Sequence, residues 1–135
     1  MIEIKNAGSF DFSIIIEHDK HISRDMLNTK IDNGEILIAQ LDGVFLGWLR
    51  WSLFWDEIPF MNMLGVVEKY RHRGIGSLLV LEWERLMSEK GFTKVMTSTL
   101  ENESAQHFYR KLGYCDLGKF TPFENKYELI LGKEL

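Results

Sequence analysis

The sequence predicts an α/β (α+β) fold, a mixed and mostly antiparallel central sheet with flanking helices. Three observations carry that prediction. Asp42-Gly43 separates two β-rich runs, and it is a dipeptide that tight type I′ hairpins favour because both central residues need positive φ. From Gly74 the apolar residues recur every three or four positions instead of every two, the signature of an amphipathic helix. Strand, helix and strand patterns then succeed one another over residues 58–100, which implies a parallel pair joined by a right-handed crossover.

The elements follow in chain order. Ile2-Glu3-Ile4-Lys5 alternates as a half-buried strand does, and from roughly His18 to Ile31 the residues Ile22, Met26, Leu27 and Ile31 stand at the spacing of one helix. Asn33-Gly34 turns the chain into a strand over 35–41. Asp42-Gly43 leads to a second over 44–53, and a turn within 54–57 leads to a third over 58–67, so the middle of the chain is a three-stranded antiparallel meander. Ile75, Leu78, Leu79, Trp83, Leu86 and Met87 form the apolar face of a helix of about four turns, stopped by Lys90-Gly91. A strand over 94–100 follows. Asn102 or Ser104 caps a second helix, whose apolar face is Ala105, Phe108, Tyr109 and Leu112 and whose end is Gly113. A last strand over 126–131 closes the sheet.

At 135 residues the chain fits a single domain, 1–135. With 45% hydrophobic and 27% charged residues it can bury a sizeable core. A net charge of -4 argues against nucleic acid as the partner, since phosphate backbones are bound by clustered Lys and Arg. Cys115 is the one cysteine, and the opening MIEIKNAGSF has neither a leader's apolar core nor a membrane span. The expectation is a cytoplasmic protein that does not engage a membrane.

The junction Val66 to Ser77, VVEKYRHRGIGS, holds the most chemistry. The first N–H groups of a helix lack intrahelical partners and carry the positive end of its dipole, so they bind anions, phosphate above all. Gly74 and Gly76 let a ligand approach the backbone, while Arg71 and Arg73 add charge. A dinucleotide-binding turn would want glycine or alanine where leucine stands in Gly74-Ile75-Gly76-Ser77-Leu78-Leu79, and no Gly-Lys-Ser/Thr follows for a nucleotide-binding P-loop. A basic helix-capping loop, with glycines there for geometry alone, stays open on these residues.

Arg71-x-x-Gly74-x-Gly76 after an apolar strand, followed by Asn102-x-x-Ala105-x-x-Phe108-Tyr109-x-x-x-Gly113-Tyr114, resembles the two cofactor motifs of the GCN5-related N-acetyltransferase (GNAT) superfamily. The resemblance spans about residues 35–131, with Glu68 standing where many members have proline. It implies a splayed parallel strand pair and acetyl-CoA as the acetyl donor. The pantetheine arm would lie along the backbone of Leu64, Val66 and Val67, and the pyrophosphate on the N–H groups of Arg71, His72, Arg73, Gly74, Ile75, Gly76 and Ser77. Asn102 would bond the pantetheine, and Tyr109 would face the sulfur.

The implied reaction moves the acetyl group to a primary amine, a small molecule before a protein N-terminus or lysine, with a non-catalytic acetyl-CoA-binding module as the other alternative. An alkyl ammonium, with a pKa near 10.4, must first lose a proton. Glu57 is the candidate base, with Asp56 and Asn62 beside it and Glu101 and Glu103 at the second helix, all being residues that also serve as ordinary turn or helix-start chemistry. Tyr109 is the candidate acid for the leaving thiolate. His18 and His21 stand three apart, a spacing that places both imidazoles on one helical face, but with no third ligand in view no metal site is expected. Trp48, Trp51, Phe54 and Trp55 invite a cation–π wall for an amine, but Trp48 and Trp51 stand an odd number apart and point to opposite faces of a strand, so core or the contact surface of a homodimer is the favoured reading.

Overall fold

The computed structural model describes residues 1–123 and 126–135. Seven strands, β1 (Glu3–Asn6), β2 (Ile36–Leu41), β3 (Val44–Phe54), β4 (Ile58–Val66), β5 (Lys94–Leu100), β6 (Cys115–Phe120) and β7 (Glu128–Glu134), form one sheet in the order β1-β2-β3-β4-β5-β7-β6. Among the described residues the sheet is mostly antiparallel, with one parallel pair, and four helices flank it: α1 (Phe12–His18), α2 (Arg24–Asp32), α3 (Ile75–Glu89) and α4 (Ala105–Lys111). Among the described residues no helix is long and apolar enough to cross a membrane. Contacts divide the chain into two compact units, Met1–Trp51 with Met63–Arg85 and Ser52–Asn62 with Leu86–Leu135.

In the first unit, β1 pairs antiparallel with β2, and β2 with β3. The β2–β3 hairpin closes through Asp42 at φ 50° and Gly43 at φ 79°, the two positive values that the dipeptide predicted. Ile15, Leu27, Ile31, Ile36, Ile38 and Trp48 pack as its core. The sequence expectation of one helix from roughly His18 to Ile31 is corrected here to two. Ile14-Ile15-Ile16, a β-branched run, conceals the helical spacing of α1. Ser23 starts α2 afresh, its Oγ accepting the Met26 N–H at 3.2 Å.

Asp19 makes the break between those helices. Its Oδ1 accepts the His21 N–H at 3.1 Å, an Asx-type turn, and its Oδ2 accepts from Trp48 Nε1 at 3.1 Å and Arg50 Nε at 2.8 Å. Trp48 and Arg50 are two apart on β3 and so share a face, which lets one carboxylate hold both. Asp19 is 2% exposed and Arg50 7%. Burial alone would raise the Asp19 carboxyl, but the hydrogen bonds and charge of Arg50, with the His21 and Trp48 N–H groups, together hold it below its ordinary 3.8. His18 ends α1 and stacks on Phe45, while His21 lies beyond the helix, so the two do not share a helical face. Trp48 also covers Gly65, where an added Cβ would fall 2.3 Å from the indole. Trp48 and Trp51 are both buried, which fits the core reading.

In the second unit, β5 pairs antiparallel with β7 from Lys94↔Glu134 to Leu100↔Glu128. The sequence did not anticipate β6, because CDLGKF carries no apolar alternation and all six residues are exposed. The parallel β4–β5 pairing is recorded at Phe60↔Met96 and Met61↔Thr97. The turn between β3 and β4 holds Trp55 at φ 55° and Asp56 at φ 60°, closed by the Glu57 N–H to the Phe54 carbonyl at 3.0 Å. Positive φ is costly for a bulky residue such as tryptophan, and Trp55 is 75% exposed.

Candidate active site

In the first unit β4 runs into a 3-10 turn at Glu68–Tyr70, and the chain then passes Arg71, His72 and Arg73 to α3. The turn is set by Tyr70 N–H to Val67 O at 2.8 Å and Arg71 N–H to Glu68 O at 3.2 Å. His72 at φ 65° and Gly74 at φ 80° reverse the backbone curvature ahead of the helix, as runs of N–H groups that converge on an anion require. Leu78 N–H to Gly74 O at 3.1 Å is the opening bond of α3, so the N–H groups of Ile75, Gly76 and Ser77 precede the helical ladder. Ile75 is buried and fixes this start, whereas Arg71, His72, Arg73 and Gly74 are exposed. These residues suit a pyrophosphate.

The backbone of β4 is less uniformly available than the sequence reading had it. Val67 N–H is bonded to Leu46 O at 2.9 Å across to β3. Alternation along a strand then turns the N–H groups of Leu64 and Val66 away from β3 and leaves Val67 out of the set. Val66 O accepts Arg71 Nε at 3.1 Å, which ties the arginine to the end of the strand. Glu57 is exposed in the turn that opens β4, while Val66 ends that strand.

In the second unit Tyr109 lies on α4, 6% exposed, with its ring 5.2 Å from Phe108 and 5.7 Å from Tyr114. Burial pushes the phenol up to about 12; the Thr97 side chain opposes the rise and the negative charge of Glu103 adds to it. Thr97 Oγ1 donates to Met61 O at 3.0 Å, at the pair Met61↔Thr97 that joins β4 to β5. Thr99 Oγ1 donates to Glu103 Oε2 at 3.1 Å. Glu128 is raised from its ordinary value by burial and by Glu103, against a lowering hydrogen bond with Ser98. Asn102 is exposed in the turn before α4. Thr97, Glu103 and Glu128 were not read as a group from the sequence, although Thr97 and Thr99 stand two apart in MTSTL and so share a face.

A groove of about 880 Å³ in the second unit is lined by Phe54, Trp55, Ile58, Met96, Leu117 and Phe120 among others. None of the expected cofactor or catalytic residues lines it, though Cys115 does. Among the described residues no group of three or more His, Cys, Asp and Glu side chains is placed to hold a metal ion.

A mostly antiparallel sheet with one parallel pair and flanking helices is the fold of the GNAT acetyltransferases. The family model described as the Acetyltransferase (GNAT) family matches residues 4–114, and the chain belongs to that family. Its acetyl donor is acetyl-CoA. The uncharacterized N-acetyltransferase CT2212 of Chlorobaculum tepidum is 27% identical over 123 residues, covering 86% of this chain and 77% of that protein. A GNAT-family acetyltransferase of Bacillus cereus, solved by crystallography, is 25% identical with a TM-score of 0.80, over 99% of this chain and 97% of its own. The ribosomal-protein-S18-alanine N-acetyltransferase of Escherichia coli shares the fold at 15% identity, with a TM-score of 0.82 over 99% of this chain and 94% of its own.

Proposed function

We propose that residues 1–135 form one N-acetyltransferase domain that moves the acetyl group of acetyl-CoA to the primary amine of a small molecule, by direct attack in a ternary complex. The observation that carries the chemistry is Tyr109, a buried phenol on α4 whose burial pushes it up to about 12, so that it keeps its proton at neutral pH. Arg71, His72, Arg73 and the N–H groups of Gly74 to Ser77 bind the pyrophosphate. Leu64, Val66 and Asn102 bind the pantetheine arm, with Val67 behind them on the β3 side. The neutral amine attacks the thioester carbonyl, and the Val66 N–H stabilises the oxyanion. Collapse breaks the C–S bond, and Tyr109 protonates the thiolate. Glu57 takes the amine's proton through water.

A net charge of -4 and the exposed Trp55 beside Asp56 and Glu57 favour a compact cation as acceptor. The likeness to the S18-alanine N-acetyltransferase favours a protein N-terminus as the second reading. Thiol release from acetyl-CoA, measured across alkylamines, polyamines, amino sugars and peptides with free N-termini, separates the two. Turnover on peptides alone would reverse the order. CoA at 100 times its Kd should stabilise the fold by about 2.7 kcal/mol, and Tyr109→Phe should lower kcat while leaving that shift intact. A variant as active as wild type would remove Tyr109 from the mechanism.

A further inference from the structure

We infer that Trp48 sets the length of the acyl group: its indole walls the space beside Gly65, so that the thioester held at Leu64 and Val66 carries an acetyl group and not a longer chain. The inference rests on the thioester placement proposed above. Gly65 stands between those two residues, and a Cβ added there would lie 2.3, 2.5 and 2.6 Å from Cη2, Cζ3 and Cζ2 of Trp48. The distal edge of the ring therefore occupies the place of a side chain at 65. Trp48 and Gly47 are neighbours on β3 and point to opposite faces. A Cβ at Gly47 would fall 2.6 Å from Gly65 O and 3.3 Å from Val66 Cα. The β4 backbone is thus confined from both faces where the thioester would lie, and it cannot retreat from the indole.

The ring is held in that position from its other side. Trp48 Nε1 donates to Asp19 Oδ2 at 3.1 Å, and the indole stacks on Phe45 with centroids 6.0 Å apart. Phe45 and Trp48 are three apart and would point to opposite faces of a regular strand. The β2–β3 register shifts between Ala39↔Gly47 and Gln40↔Phe45, so β3 bulges at Leu46 and brings both rings to one face, as bulges beside active sites re-aim side chains. His18 closes the stack, its ring 5.5 Å from Phe45 and 6.1 Å from Trp48. Trp48 is 6% exposed, so a longer chain has to displace a ring that is packed and hydrogen-bonded. A carbonyl oxygen bonded to the Val66 N–H lies about 2.9 Å from that nitrogen, which is joined to Gly65, so the first acyl carbons start beside the ring edge. One extra methylene against such a wall is worth about 10–200-fold in kcat/KM.

The test measures thiol release from acetyl-CoA, propionyl-CoA and butyryl-CoA with the fastest amine of the panel above, for wild type, Trp48→Phe, Trp48→Leu and Asp19→Asn. Wild type should favour acetyl-CoA over propionyl-CoA by about tenfold or more in kcat/KM, and that preference should shrink about tenfold in the Trp48 variants. Asp19→Asn loosens the same core but keeps the ring, so its preference should stay close to that of wild type. Equal use of acetyl-CoA and propionyl-CoA by wild type overturns the inference whether or not the variants fold. An undiminished preference in a folded Trp48 variant, or an equal shift in Asp19→Asn, overturns it while leaving the thioester placement standing. No release from any acyl-CoA removes the proposed function and the inference together.

Discussion

Replacing Asp19 by asparagine keeps the shape of the side chain and removes its charge from beneath Arg50. Arg50 is 7% exposed and its Nε lies 2.8 Å from Asp19 Oδ2, so the guanidinium would be left buried without its counter-ion. Breaking one partner of such a pair costs about 3–5 kcal/mol, even though a buried ion pair as a whole adds little net stability over apolar packing. At about 2.1 cal/mol/K per residue, unfolding 135 residues carries roughly 0.28 kcal/mol/K, so the expected fall in Tm is roughly 11–18 °C. The pH dependence fixes the cause. Asp19 is held below its ordinary 3.8, so the stability it contributes is complete above that value and is lost as pH falls through the lower folded-state value. Urea unfolding of wild type and Asp19→Asn should therefore show a wide gap at pH 7 that narrows below about pH 4, and Asp19→Asn/Arg50→Met should recover part of the loss. A gap under about 1 kcal/mol at pH 7, or one that stays constant into acid, would refute the reasoning.

Two further outcomes follow from the second unit. Asp56 sits at φ 60°, so Asp56→Gly should stabilise the β3–β4 turn by about 1 kcal/mol; a urea midpoint at or below wild type contradicts the strain. The Tyr109 phenol is pushed up to about 12, so the phenolate absorbance that Tyr109→Phe removes should appear only above about pH 11. A difference between the two proteins already present at pH 10 would show that the phenol is wetter than its burial implies.

Where local chemistry decides conformation, the fold was legible in the sequence. Asp42-Gly43 announced its hairpin through the positive φ it adopts, and α3 declared itself by an apolar face long enough to outweigh chance spacing. What stayed hidden depends on partners distant in the chain. Nothing near Asp19 signals that its carboxylate will be claimed by Trp48 and Arg50, 29 and 31 residues on, and so the break between α1 and α2 was read as continuous helix. Strand β6 is an exposed run that gains its form from β7 and carries no pattern of its own. At the site, the motif residues could be named in advance because spacing selects them. Thr97 could not, because its hydroxyl is claimed by the Met61 carbonyl, 36 residues back in the chain. Nor could the loss of Val67 from the free backbone, which follows from its bond to Leu46.

Gly65 lies under the face of Trp48, with ring carbons 2.3 to 2.6 Å from where a Cβ would stand. The indole cannot slide aside without leaving Asp19. The two positions are therefore coupled: a side chain at 65 fits only if the ring at 48 is made smaller, and that change removes a donor from the Asp19 carboxylate.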